Sequence, residues 1–122
     1  MTRNDFYAEW LNHFACGISQ TKIQKYVVST GNYLWHIFSW GLLNGESFLV
    51  GDAAKRAYNE QRHNDARYIK WFEDDIVKPL PPTMYTANAL DNLTEVYIVA
   101  SDFSWTYIKT HESMCGPYFM KR

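Results

Sequence analysis

Residues 95–110 read EVYIVASDFSWTYIKT, and the organisation of the chain turns on how they are read. The first half, 95–101, is β-branched and aromatic, the composition of a strand. The second, 104–110, alternates: Trp105, Tyr107 and Lys109 point one way, Ser104, Thr106 and Ile108 the other. Only Asp102 and Phe103 intervene, so the two segments are expected to pair as an antiparallel hairpin.

Downstream, SMCGPYFM (113–120) reads as a turn at Met114–Gly116, a return fixed by Pro117 and a short last strand over 116–120. Upstream, ARYIKWF (66–72) alternates well enough for a strand. EDDIVKPLPPTM (73–84) places Pro79, Pro81 and Pro82 close together, which predicts an exposed, extended connection. YLWHIFSW (33–40) is apolar at nearly every position and is expected to be a central strand, followed by a turn through Gly41, Asn44 and Gly45.

The remaining segments have helical spacing. NDFYAEWLNHFAC places Phe6, Tyr7, Trp10, Leu11, Phe14 and Ala15 on one face, with Thr2 or Asn4 as caps and Gly17 as terminator. A second helix starts at Ser19 and runs to about Ser29. A third, GDAAKRAYNEQ, turns Ala53, Ala54, Ala57 and Tyr58 inward and sets Arg56 four residues before Glu60. The sum is a single α+β domain over 1–122: N-terminal helices packed on one face of a mostly antiparallel sheet of about four strands.

The 122 residues are enough to bury a real core, roughly two-thirds of the surface an unfolded chain of this length exposes. A hydrophobic fraction of 47 % argues against disorder, and no apolar run is long enough to cross a bilayer. MTRNDFYAEW lacks the apolar block of a signal peptide, so a cytoplasmic protein is expected. Cys16 and Cys115 fit no CxxC spacing and read as two reduced thiols, a Cys16–Cys115 bridge being the alternative.

Net charge is −1, yet residues 71–103 carry Glu73, Asp74, Asp75, Asp91, Glu95 and Asp102 against Lys78 alone. Such a split suggests one acidic face and argues against a nucleic-acid partner, which needs clustered positive charge. Five Trp, nine Tyr and seven Phe are many rings for so small a domain to hide. Tyr and Trp favour protein interfaces because they join apolar area to one polar handle. Exposed rings beside acids suit docking onto a basic partner.

Catalytic signals are thin. His111 beside Glu112 invites a general base, but consecutive strand residues point to opposite faces. Cys115 with His111 lacks an orienting third group. His36, between Trp35 and Ile37, reads as a core histidine. Four His with neither i, i+4 spacing nor paired cysteines give no metal site, and no Gly-rich phosphate loop, GxSxG or HExxH is present, so neither metal nor cofactor is expected.

Two resemblances add to this reading. Trp35, Phe38 and Ser39, then Gly51 and Ala54, then Trp105, Thr110, His111, Glu112, Gly116, Pro117, Tyr118 and Phe119 resemble a family of small, uncharacterised bacterial domains. That family has a W-x-x-F-S strand, a G-x-x-A helix start and a closing T-H-E-x-x-x-G-P-Y-F. The likeness covers about the last ninety residues, the closing motif being its most specific part. Val50-Gly51-Asp52 departs from the acidic residue often found by the glycines. It implies a fold and no mechanism. The size, aromatic content and acidic segment are also similar to immunity proteins of bacterial toxin systems.

The function expected is therefore that of a non-enzymatic protein that binds and blocks a cognate toxin domain, a basic nuclease being favoured. Its charged contacts are Glu73, Asp74, Asp75, Asp91, Glu95 and Asp102, and its anchors Trp71, Phe72 and Tyr85. The alternatives are a small enzyme using His111, Glu112 and Cys115, or a structural module that oligomerises through exposed rings.

Overall fold

The computed structural model describes residues 1–43 and 48–122. Helix α1 spans Arg3–Phe14 and starts on a capping box: the Thr2 hydroxyl accepts from Asp5 N, and the Asp5 carboxylate accepts from Thr2 N. Phe6, Trp10 and Phe14, one turn apart, are its buried stripe. Ser19 caps α2 (Gln20–Tyr26), which passes through a 3-10 turn at Val28–Thr30.

Residues 33–40 are not the central strand expected of them. They form a turn and one short helix, α3 (His36–Ser39). A continuous apolar run is compatible with a buried strand or a buried helix. Here Leu34, Trp35, Ile37 and Phe38 are buried while His36 is half-exposed and Ser39 and Trp40 face water. That three-residue rhythm is a helical stripe, and His36 and Ser39 mark it in the sequence. Of the turn expected next, Gly41 has a left-handed φ of 63°, while Asn44 and Gly45 fall outside the described residues.

The strands are β1 (Leu49–Val50), β2 (Arg67–Lys70), β3 (Lys78–Pro79), β4 (Val96–Val99), β5 (Trp105–Lys109) and β6 (Tyr118–Lys121). The described residues make one antiparallel sheet of these six in the order β1-β6-β5-β4-β2-β3, wider than the four strands expected. The β4–β5 hairpin lies inside it, with Ile98 opposite Tyr107 and Val99 opposite Thr106. Phe103 takes a left-handed φ of 57° in its turn. The proline segment is extended only in part and is not wholly exposed: Lys78 and Pro79 pair with β2 as an edge, Leu80 is buried, and Pro82–Met84 close into a 3-10 turn.

Helices cover both faces rather than one. Helices α1, α2 and α3 pack on Ile69, Tyr97, Val99, Ile108 and Met120. The opposite face, with Tyr68, Val96, Ile98, Trp105, Tyr107 and Phe119, is covered by α4 (Asp52–Asn59) and α5 (Ala87–Leu90). Successive residues of β4 therefore serve two cores, and all four are buried. The α4 spacing put Ala54 and Tyr58 inward, as they are. Gly51 leads into it at φ 66°, a left-handed value that a side chain would strain, while its N–H donates to Pro117 O at 2.9 Å. Trp10 locks α1 to the sheet: its Nε1 donates to Thr106 Oγ1 at 3.0 Å, whose hydroxyl donates to Ile98 O at 2.9 Å.

Since Ile98 is fully buried at the centre of the sheet, Ile98→Ala is expected to lower unfolding free energy by about 2–5 kcal/mol in urea titrations.

Candidate functional site: an aromatic surface over a buried carboxyl

Glu95 stands immediately before β4, where the chain enters the sheet, and its side chain is wholly buried. A carboxyl there is tolerated only if its oxygens are satisfied. Four donors reach it: Trp35 Nε1 at 2.9 Å, His111 Nδ1 at 2.7 Å and His111 N at 3.2 Å on Oε1, and Tyr97 OH at 3.0 Å on Oε2. These partners come from the α3 turn, from β4 and from the exit of β5, so one side chain ties three segments together. Burial, then the adjacent Glu95, pushes the Tyr97 phenol well above its ordinary range.

His111 is the outer half of this pair. With Nδ1 directed at Glu95, its Nε2 lies 3.4 Å from Glu112 Oε1. Adjacent residues of a strand would not meet this way, but β5 ends at Lys109 and the pair lies in the exit turn. Two rings pack outward against the imidazole, Tyr33 tilted at a centroid distance of 4.8 Å and Phe72 edge-on at 5.4 Å. Tyr33 continues the surface to His36, 5.7 Å away. His36 Nδ1 donates to Tyr26 O at 3.0 Å, and the Tyr26 ring is 5.4 Å from that of Trp40. Two groups of rings, Phe72–Tyr33–His36 and Tyr26–Trp40, are thus joined into one stripe by the hydrogen bond from His36 to the Tyr26 backbone, not by ring contact. Its two ends are the most exposed, at 49 % for Phe72 and 57 % for Trp40.

Of the nine contact residues read from the sequence, Phe72, Glu73 and Asp75 are exposed side by side next to this stripe. Three others are interior rather than surface. Trp71 is buried against Tyr97 with the Arg3 guanidinium 4.7 Å above its ring. Asp74 turns inward and accepts from Lys70 N at 2.9 Å and Lys78 Nζ at 3.2 Å. Burial works against that carboxylate, but these bonds outweigh it and hold the group below its ordinary range. Glu95 is the buried hub itself.

The last three lie elsewhere. Tyr85 stacks on His63 against the α4–α5 face, and Asp91 pairs with Lys55 at 3.2 Å. Asp102 sits in the β4–β5 turn, at the end of β4 opposite Glu95, where its carboxylate accepts from Ser104 N. The acidic segment is therefore not one face, because strand direction carries its members to both ends of the sheet.

The pairing of Cys115 with His111 is not formed either. Cys115 O accepts from Thr110 Oγ1, Cys115 and Glu112 line a cavity of about 250 Å³ with Lys55, Asp91 and Lys109, and both cysteines are free thiols. His111 is absent from the lining of five cavities of about 170–430 Å³ among the described residues. Sequence reasoning missed Tyr26, Tyr33, Trp40 and the hub role of Glu95. Trp40 had a usable signal, a tryptophan just before Gly41 at the end of an amphipathic turn. Glu95 had little, since Tyr97 is its one local donor and the others are 60 residues upstream and 16 downstream.

The family model described as Domain of unknown function (DUF4275) matches residues 3–119, and the chain belongs to that family. No curated protein and no solved structure shows detectable similarity to it. Among the described residues, no helix is long and apolar enough to cross a membrane.

Glu95→Ala leaves buried donors without an acceptor and is expected to cost about 3 kcal/mol or more, whereas Glu112→Ala, at an exposed position, should stay within about 0.5 kcal/mol; chemical denaturation of the two variants compares them. The phenols of Tyr58, Tyr97 and Tyr107 are all raised, chiefly by burial. A phenol harder to ionise folded than unfolded contributes stability that is complete below the ordinary value of 10.0 and is lost as pH climbs past it. Tyrosinate absorbance of these residues should therefore appear together with loss of circular dichroism, not before it.

Proposed function

We propose that this member of the DUF4275 family is a protein-binding module that blocks a cationic partner. In its most specific form it is an immunity protein that neutralises a cognate bacterial toxin domain, a basic nuclease being the favoured class. One observation carries the reading: Phe72 is half-exposed on a bed of packed rings, with exposed Glu73 and Asp75 following it in the chain and Glu112 beside the supporting histidine. A half-exposed ring on a base that cannot shift is the form an interface anchor takes, and neighbouring carboxylates speed encounter with a positive partner. The base is rigid because Tyr33 and His111 rest on Trp35 and Glu95, which are buried. The contact set shrinks accordingly, from the nine residues read in the sequence to Phe72, Glu73 and Asp75, joined by Glu112 and Tyr33. Such a protein works in the cytoplasm, where its toxin would act, and needs no cofactor.

A second reading has one specific observation behind it. The 2.7 Å Glu95–His111 contact is the geometry of a carboxyl that orients a histidine base. Against it, Nε2 of that histidine is taken up by Glu112, and it is Glu112, not His111, that lines the neighbouring cavity. The readings separate on His111→Gln, which abolishes turnover if the histidine is a base and changes only affinity if it supports Phe72.

Calorimetry against the polypeptide encoded immediately upstream, with rescue of growth on co-expression, tests the lead reading. Phe72→Ala is expected to weaken binding about tenfold or more. The pair Glu73→Lys and Asp75→Lys should slow association and flatten its salt dependence. Asp102→Lys, at the other end of β4, should change neither. A Phe72→Ala protein that binds as tightly as the parent sinks the proposed face.

A further inference from the structure

The aromatic stripe has a second property that a toxin-binding reading does not use: its two ends carry opposite charge. At the Phe72 end, Glu73, Asp75 and Glu112 are exposed. Neither Glu73 nor Asp75 has an ion-pair partner among the described residues. At the Trp40 end stand Lys22 and Lys25, exposed on α2, with Lys25 Nζ 5.2 Å from the centre of the Tyr26 ring. Neither lysine has an ion-pair partner among the described residues. Between the ends lie the half-buried rings of Tyr33, His36 and Tyr26.

We propose that this stripe is self-complementary and pairs two copies of the chain about a two-fold axis, the Phe72 end of each against the Trp40 end of the other. In that arrangement Glu73 and Asp75 of one copy approach Lys22 and Lys25 of its mate, twice over, and Trp40 covers Phe72. The parallel arrangement places like charges together and is disfavoured. The other route to self-association, strand pairing at a sheet edge, has little backbone to work with, because the edge strands β1 and β3 are two residues each. Pairing through the stripe hides Phe72, so a copy engaged with its mate is closed to any partner that uses that ring. The homodimer is then a stored form that partner binding must dissociate. The proposal stands on the charge and ring positions alone and does not require the toxin-binding reading.

Sedimentation velocity on the purified chain, from micromolar to near-millimolar concentration, tests it. A concentration-dependent dimer is expected, weakened by salt. Trp40→Ala and Phe72→Ala should each raise the dissociation constant about tenfold or more, with thermal unfolding showing that both remain folded. The decisive measurement is a mixing experiment. Lys22→Glu with Lys25→Glu makes both ends acidic, and Glu73→Lys with Asp75→Lys makes both ends basic. Each double variant should be monomeric alone, and the two mixed should form a heterodimer. A chain monomeric throughout the range, a dimer indifferent to Trp40→Ala and Phe72→Ala, or variants that stay apart on mixing would each overturn the pairing. So would a dimer dispersed by Leu49→Lys, at the β1 edge, and by none of the stripe variants. A protein that is monomeric yet binds the upstream polypeptide through Phe72 refutes the dimer and leaves the toxin-binding reading intact; the reverse result separates them the other way.

Discussion

A buried carboxyl governs this molecule. Glu95 lies at the point where the chain enters the middle of the sheet, and its oxygens collect an indole N–H, a phenol, an imidazole nitrogen and a backbone N–H. An acidic group at such depth is costly unless each lone pair has a donor. The donors fix in turn the α3 turn through Trp35 and the β5 exit through His111. Because those segments carry Tyr33 and support Phe72, the partly exposed rings inherit their positions from a contact no partner can touch. A surface built this way is preorganised, and little ordering remains to be done on binding.

The rest of the architecture follows from covering a sheet on both sides. Continuous burial along β4, with Tyr97 and Val99 in one core and Val96 and Ile98 in the other, leaves no solvated face. That requirement accounts for most of the aromatic content. Trp10, Phe6 and Phe14 fill one side, Tyr58, Trp105 and Tyr107 the other. The rings left over are few, and Phe72 and Trp40 stand out as the exposed ends of two ring groups linked through the His36–Tyr26 hydrogen bond.

Much of this was readable in order along the chain. Helix α1 and its Thr2 cap, the β4–β5 hairpin and the inward Ala54 and Tyr58 of α4 are local patterns, and each is present. The reading of 33–40 went astray because its apolar density hid a three-residue rhythm kept by His36 and Ser39. The acidic face went astray for a different reason. Nearness in sequence is not nearness in space: Asp102 lies one strand length from Glu95, and Asp74 turns inward to Lys70 and Lys78.

What the sequence determined by itself is the set of elements and which way their apolar sides face, because periodicity and capping act within a few residues. The tertiary structure alone decided which carboxylates are buried and which rings share a surface. Both depend on strand order and on contacts between residues as far apart as Trp35 and Glu95. A charge is stabilised or left to water according to donors that the fold, and not the local chain, brings within hydrogen-bond reach.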